Sequence, residues 1–347
     1  MTALAAGFSP RMFVPGSGTN FSEVLPRYLT AHPALDPKSA SQLQTVCNLV
    51  QAWATQHDPG EDLSVDGIFE LDEFEAWVKW LFDTPIERGS SIGKRRSPRT
   101  VKGKRDALWT LWRFAHKRGL CDRSPPDRDE LAPIACPKED PVAWSPDEVA
   151  AIIHQSRQAP DVKYWRPGHW LSLLWTAWYS AERIDGLLSS RLSDLQGDVL
   201  YIRADQTKDG KPGVHRLKPE LSALIRSLKT LAGPGVPEAK ADLIWPWPFK
   251  INALRARYRR DILRPAGVPD DRLHLFHCVR RSSLTETVNQ AGRAAAQELA
   301  RHSTPKLLDN YVSKRLLRTT AAVDVLPDPT IKPPKKPASK ERQLTLL

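Results

Sequence analysis

Apolar residues return at spacings of three and four through most of the first 120 positions. Leu43, Val46, Leu49, Val50 and Trp53 make one stripe, Leu71, Phe74, Trp77, Val78 and Leu81 a second, and Val101, Leu108, Leu111, Trp112 and Ala115 a third. One apolar face per helix predicts a helical domain over residues 21–121 in which these faces bury one another. Gly119, just past the third stripe, is a helix stop. Residues 1–20 carry Gly, Ser and Pro without periodicity and read as a flexible arm. Residues 122–144, with Pro125, Pro126, Pro133, Pro137 and Pro141, read as a linker.

The pattern then changes. Ser145-Pro146-Asp147-Glu148 has the order of a helix start: a hydroxyl N-cap, proline in the first helical position and acids in the first turn. Downstream, helical stripes alternate with two strand-like runs, Val199–Arg203 and Val214–Lys218. A polar stretch joins them, and its Asp209-Gly210 supplies a turn. The expected fold is mostly α with a small β-sheet: a helical domain followed by a mixed α/β domain over residues 145–326. Residues 327–347, rich in Pro and Lys, read as a disordered basic tail.

A chain of 347 residues exceeds one ordinary core, which agrees with two domains. Its formal net charge of +11 points to a polyanionic partner. Much of that charge lies on or just before the third stripe, at Arg95, Arg96, Arg99, Lys102, Lys104 and Arg105. This cluster reads as a phosphate-facing, DNA-binding surface. Cys47, Cys121, Cys136 and Cys278 show neither zinc spacing nor a disulfide framework, in keeping with a reducing cytoplasm. No apolar run reaches membrane-spanning length, and residues 1–20 lack the charged-then-apolar order of a signal peptide. The expectation is a cytoplasmic, nucleoid-associated protein with no membrane partner.

The residues that carry chemistry come late. His277 and Arg280 are three apart, hence on one helical face, where both reach oxygens of a single phosphate. The planar guanidinium donates two bonds to such a group and stays charged. His274 and His277 share that spacing, but no third ligand accompanies them, so no metal is expected. Arg183 opens a stripe of Ile184, Leu187, Leu188 and Leu195. A cation at a helix N-terminus is unfavourable unless an anion joins it there; a salt bridge to Glu182 or Asp185 is the alternative use. Lys208, between the two strand runs, reads as a solvated lysine or as a mobile general acid, with Lys211 its competitor. Thr304-Pro305 starts a short helix expected to run to about Ser313, with Tyr311 near its end. An aromatic there packs by default, but its phenol is also a latent nucleophile.

Taken in order, Arg183, Lys208, the His277-x-x-Arg280 box, His302 and, nine residues on, Tyr311 resemble the catalytic set of the tyrosine recombinase (phage integrase) family. The resemblance covers about residues 145–325, and Arg99–Pro125 is similar to the end of that family's helical core-binding domain. It implies the family's fold and a site-specific DNA recombinase, of the kind that serves DNA integration by mobile elements. Such an enzyme cleaves and rejoins double-stranded DNA through a 3′-phosphotyrosyl intermediate, with no metal or other cofactor. By position, the resemblance makes Tyr311 the nucleophile, Arg183 and Arg280 a phosphate clamp, and Lys208 the general acid. His277 assists proton transfer and His302 donates to the scissile phosphate. A homotetramer on two DNA sites is implied as well, with Lys314–Val325 (Leu316, Leu317, Ala321, Val325) docking on a neighbouring protomer. With about 20 residues ahead of the first helical pattern, a separate arm-binding domain is not expected.

Two departures from the family pattern stand out. Ala181-Glu182 replaces a Gly-hydrophobic pair before the first arginine, and Gly186 replaces an acid, with Asp185 as the substitute. These departures keep open a catalytically weak DNA-binding protein on the same fold. The shared catalytic set keeps open a DNA-relaxing enzyme of the type IB topoisomerase kind.

Overall fold

The structure is a computed structural model that describes residues 19–57, 63–87, 91–137, 139–207, 210–232, 235–271, 273 and 275–318. Residues 1–18 of the expected arm, Lys208, His274, Ala321, Val325 and the tail from residue 327 lie outside the described residues. The chain forms two compact units that divide between residues 138 and 139.

The first unit is helical: α1 (Val24–Ala31), α2 (Pro37–His57), α3 (Val65–Ile68), α4 (Leu71–Asp83) and α5 (Pro98–Lys117). The three stripes are α2, α4 and α5. Val46, Val50, Trp53, Phe74, Trp77, Leu81, Leu111 and Trp112 join one core, where the Phe69 ring stacks on Trp112 with centroids 5.4 Å apart. Burying such side chains contributes roughly 1.5–3 kcal/mol each, so packing rather than helix propensity holds the unit together. Ser97 caps α5 by accepting from Thr100 N, and Pro98 fills the first helical position. Gly119, at φ +66°, ends it in the left-handed conformation that glycine adopts without a Cβ penalty. Leu131 is buried in this same core and Arg105 donates to Ala132 O, so that stretch of the expected linker packs on the first unit.

In the second unit α6 (Pro146–Ser156) opens with a full capping box. Glu148 N donates to Ser145 Oγ at 3.2 Å, and Ser145 N donates to Glu148 Oε2 at 2.7 Å. There follow α7 (Pro167–Ser180), α8 (Ile184–Leu188), β1 (Leu195–Gln196), β2 (Val199–Ile202), β3 (Gly213–Arg216), α9 (Pro219–Ala232), α10 (Ile251–Arg257), a π-helical turn at Tyr258–Leu263, α11 (Phe276–Ala300) and α12 (Pro305–Leu308). The strands form one antiparallel sheet in the order β1-β2-β3, with Leu200 opposite His215. Leu200, Ile202, Gly213 and His215 are buried, which puts a histidine on the inner side of β3. The core is rich in tryptophan: Trp144, Trp165, Trp170 and Trp245 are almost wholly buried between α6, α7 and the segments around α10.

One expectation for the last segment changes. The helix begun at Pro305 stops at Leu308, and Tyr311 lies in the turn beyond it. The helix stops because Ser313 N donates to Thr285 Oγ1 of α11 at 3.0 Å instead of continuing the helical ladder. Residues 313–318 lie on their own unit. Asp140 accepts from Ser313 Oγ at 2.8 Å and from Lys314 N at 2.9 Å, and Asn289 donates to Leu316 O. Among the described residues no helix is long and apolar enough to cross a membrane.

His169, 0% exposed on α7, accepts from Arg166 N through Nδ1 at 3.0 Å. Burial pushes its imidazole down to about 4. A base whose folded value lies below its unfolded value contributes stability at high pH, which is lost as pH falls from about 6.5 toward 4. Acidifying from pH 7 to 5 should therefore cost about 2 kcal/mol through His169 alone. In urea unfolding, the stability gap between wild type and His169→Asn should shrink by that amount over the interval. A gap that does not change with pH contradicts the assignment.

Candidate active site

Arg280 is carried into the interior by α11 and is 2% exposed. One terminal nitrogen donates to Ala181 O at the α7–α8 corner. The other donates to Ala300 O at 3.1 Å and lies 3.5 Å from His302 Nε2. The guanidinium carbon sits 5.1 Å from the centroid of the Tyr311 ring. The rings of His277 and His302 lie 5.2 Å and 4.7 Å from that same ring. Four of the six sequence-predicted catalytic residues, Tyr311 and the three around it, thus come together.

Arg183 is the fifth. It is the N-cap residue of α8, half-buried, and its charge acts on both His277 and Arg280. Lys208 lies outside the described residues; Thr207, just before it, accepts from Gly210 N at 3.3 Å and donates through Oγ1 to Lys211 O at 2.9 Å.

The departures at the corner have a structural use. Ala181 ends α7 in the left-handed region (φ 49°, ψ 24°), at a cost of about 1 kcal/mol for a residue with a Cβ, and its carbonyl faces Arg280. Glu182 is 4% exposed, accepts from His215 Nε2 at 2.9 Å and pairs with Arg301 Nη2. Asp185, expected to stand in for the acid missing at 186, is exposed. The short α8 turns residue 185 outward and residue 186 inward, toward the Glu182 carboxylate. A Cβ on Gly186 would lie 4.0 Å from Glu182 Oε2. Glu182, His215 and Arg301 were not legible as a set, although a glutamate just after the apolar run of α7 and a histidine at an inward position of β3 were both visible signs.

Positive charge dominates. Desolvation by the surrounding protein first, then Arg281, Arg280 and Arg183, push the His277 imidazole down to about 4, although the residue as a whole is exposed. It is neutral at pH 7. Desolvation pulls the Arg280 guanidinium down from its usual value, Arg183 and Arg301 add to that, and Tyr311 and Glu182 oppose it. Burial pushes against ionisation of Glu182, but the bond from His215 and the charge of Arg301 prevail and hold its carboxyl below the usual range. Among the described residues Glu182 is the one carboxylate that bears on Arg280, and it is already committed. A cluster with this excess of cation over carboxylate is electrostatically suited to an anion.

In the first unit the expected DNA-binding residues divide. Arg95, Arg99 and Lys102 are exposed and available to phosphate. Arg96 donates to Thr84 O at 2.7 Å and Arg105 to Ala132 O at 2.7 Å, so both brace the fold. Lys104 is half-buried, and burial lowers its ammonium from the usual value. No cluster of three or more potential metal ligands occurs among the described residues.

No family model matches the chain, and no curated protein matches it. Solved structures do. A lambda integrase dimer bound to a core site is similar over 85% of this chain and 96% of its own, at 17% identity and a TM-score of 0.61. The Tn1549 transposon integrase in complex with transposon right-end DNA covers 88% of this chain and 96% of its own, at 13% identity and a TM-score of 0.61. XerH site-specific recombinase bound to its difH substrate covers 84% and 81%, at 16% identity and a TM-score of 0.59. The fold this chain shares with them is that of the tyrosine recombinases.

The charge around His277 can be measured. In the free protein its imidazole should titrate by NMR well below the ordinary value of about 6.5. It should move upward when a short duplex brings a phosphate into the site, because the anion offsets the arginines. A midpoint at or above the ordinary value in the free protein contradicts this electrostatic picture.

Proposed function

We propose that this protein is a site-specific DNA recombinase that cuts and rejoins strands through Tyr311. The observation that carries the reading is the convergence of Arg280, His277 and His302 on one tyrosine, with the charge of Arg183 acting on His277 and Arg280 and with more positive charge than the described residues neutralise. The tyrosine recombinase fold supports it.

Tyr311 Oη attacks a backbone phosphorus in line, and the bond to the 5′ oxygen breaks. The phenolic proton passes to a neutral imidazole, for which His277 is suited at neutral pH. The leaving 5′ oxygen takes a proton from Lys208. Arg183, Arg280 and His302 meet the charge that develops on the non-bridging oxygens. The 3′-phosphotyrosyl product keeps one ester bond for each one broken, so the step needs no nucleotide, and guanidinium charge serves where a metal ion otherwise would. Attack by the 5′ hydroxyl of a partner strand then reverses the chemistry and completes exchange. Pairing two sites with two protomers each makes the working assembly a homotetramer on DNA. Arg95, Arg99 and Lys102 supply phosphate contacts from the first unit.

The test is a nicked duplex that traps the covalent intermediate, drawn from a random pool and from DNA flanking the gene, and incubated with the protein in EDTA. Wild type should give an SDS-resistant adduct. Tyr311→Phe should give none while binding DNA as before, and Arg183→Ala should slow adduct formation by about 10²–10³. Cleavage by Tyr311→Phe contradicts the assignment of the nucleophile. Tight binding without any adduct favours a DNA-binding protein on the same fold, and relaxation of supercoils without a second site favours a topoisomerase.

A further inference from the structure

We propose that Glu182 is a positioning residue whose buried carboxylate fixes the places of Arg183, Arg280 and His302. The inference rests on the reading of this centre as one that cleaves DNA. One side chain ties three separate segments together. At the α7–α8 corner, Arg183 N donates to Glu182 Oε2 at 3.3 Å, and the preceding residue, Ala181, offers its carbonyl to Arg280. On β3, His215 Nε2 meets Glu182 Oε1 at 2.9 Å. At the end of α11, Arg301 pairs with Glu182 Oε1 and donates through Nη1 to Lys211 O at 2.9 Å, in the loop that follows Lys208. Arg301 holds the left-handed conformation (φ 55°), and His302 is the next residue.

The surroundings are shaped for this arrangement. A Cβ on Gly213 would lie 2.6 Å from Arg301 Nη1, so residue 213 leaves Arg301 its space by having no side chain. Gly186 faces the other carboxylate oxygen, and a Cβ there would meet Gln206 O, Ile202 Cγ2 and Glu182 Oε2 at ordinary contact distances of 3.6, 3.9 and 4.0 Å, without a clash. Removing one member of a buried charged set leaves the others uncompensated, and they shift toward water or new partners. A displacement of about 1 Å at a reacting centre costs about 10²-fold in rate.

Single-turnover cleavage of the nicked duplex and DNA affinity are measured for wild type, Glu182→Gln, Glu182→Leu and the double variant Glu182→Leu/Gly186→Glu. The single variants should cleave about 10²-fold more slowly with unchanged DNA affinity. The double variant, which returns a carboxylate to the same space from the other side, should regain most of the rate; that recovery requires a folded chain. A wild-type rate in Glu182→Leu, or no gain from Gly186→Glu in that background, overturns the proposal. A readout independent of cleavage is the guanidinium NMR signal of Arg280. Its protected N–H groups should be seen in wild type and lost in Glu182→Gln, and equal protection in both overturns the proposal even in a chain that cuts nothing. Absence of cleavage by wild type would count against the DNA-cleaving reading alone.

Discussion

The organising constraint is a guanidinium buried where water cannot solvate it. An isolated buried charge is unstable by several kcal/mol unless dipoles, rings or counter-charges surround it. Arg280 gathers two backbone carbonyls, the edge of one imidazole and the face of one phenol ring. They come from three separate stretches of chain: Ala181 from the α7–α8 corner, Ala300 and His302 from the end of α11, and Tyr311 from the turn after α12. Satisfying one cation therefore brings the site together. The carbonyls solvate the charge without neutralising it.

The rest of the second unit holds those pieces still. α7 packs against α6, α9 and α11, and its Trp170, Leu173, Leu174 and Ala177 are buried in the core of the unit. Behind the tyrosine, the Thr285 hydroxyl takes Ser313 N and the Asp140 carboxylate takes Ser313 Oγ and Lys314 N. These bonds fix the backbone two and three residues past Tyr311, a precondition for presenting a phenol in one direction.

Much of this was legible from residue order alone. The stripes of α2, α4 and α5, the capping box at Ser145 and the three-residue spacing of His277 and Arg280 are local patterns, and local patterns survive folding. What depended on distant neighbours was not legible. Arg96 and Arg105 look like their exposed neighbours in sequence, yet carbonyls at Thr84 and Ala132 claim them. The helix expected from Pro305 to about Ser313 is cut short by a hydroxyl from α11. Asp185 was the nearest candidate for a missing acid, but the phase of a five-residue helix turns it outward, and the buried carboxylate is Glu182, whose partners lie 33 and 119 residues away.

The central claim, that Tyr311 becomes joined to DNA, is tested most directly by finding the atom that carries the nucleotide. Protein trapped on a nicked duplex is digested with nuclease and trypsin, and the peptides are sequenced by mass spectrometry. The account predicts a nucleotide phosphate on the peptide from Leu307 to Lys314, localised to Tyr311. A phosphate on any other residue, with that peptide unmodified, would contradict it.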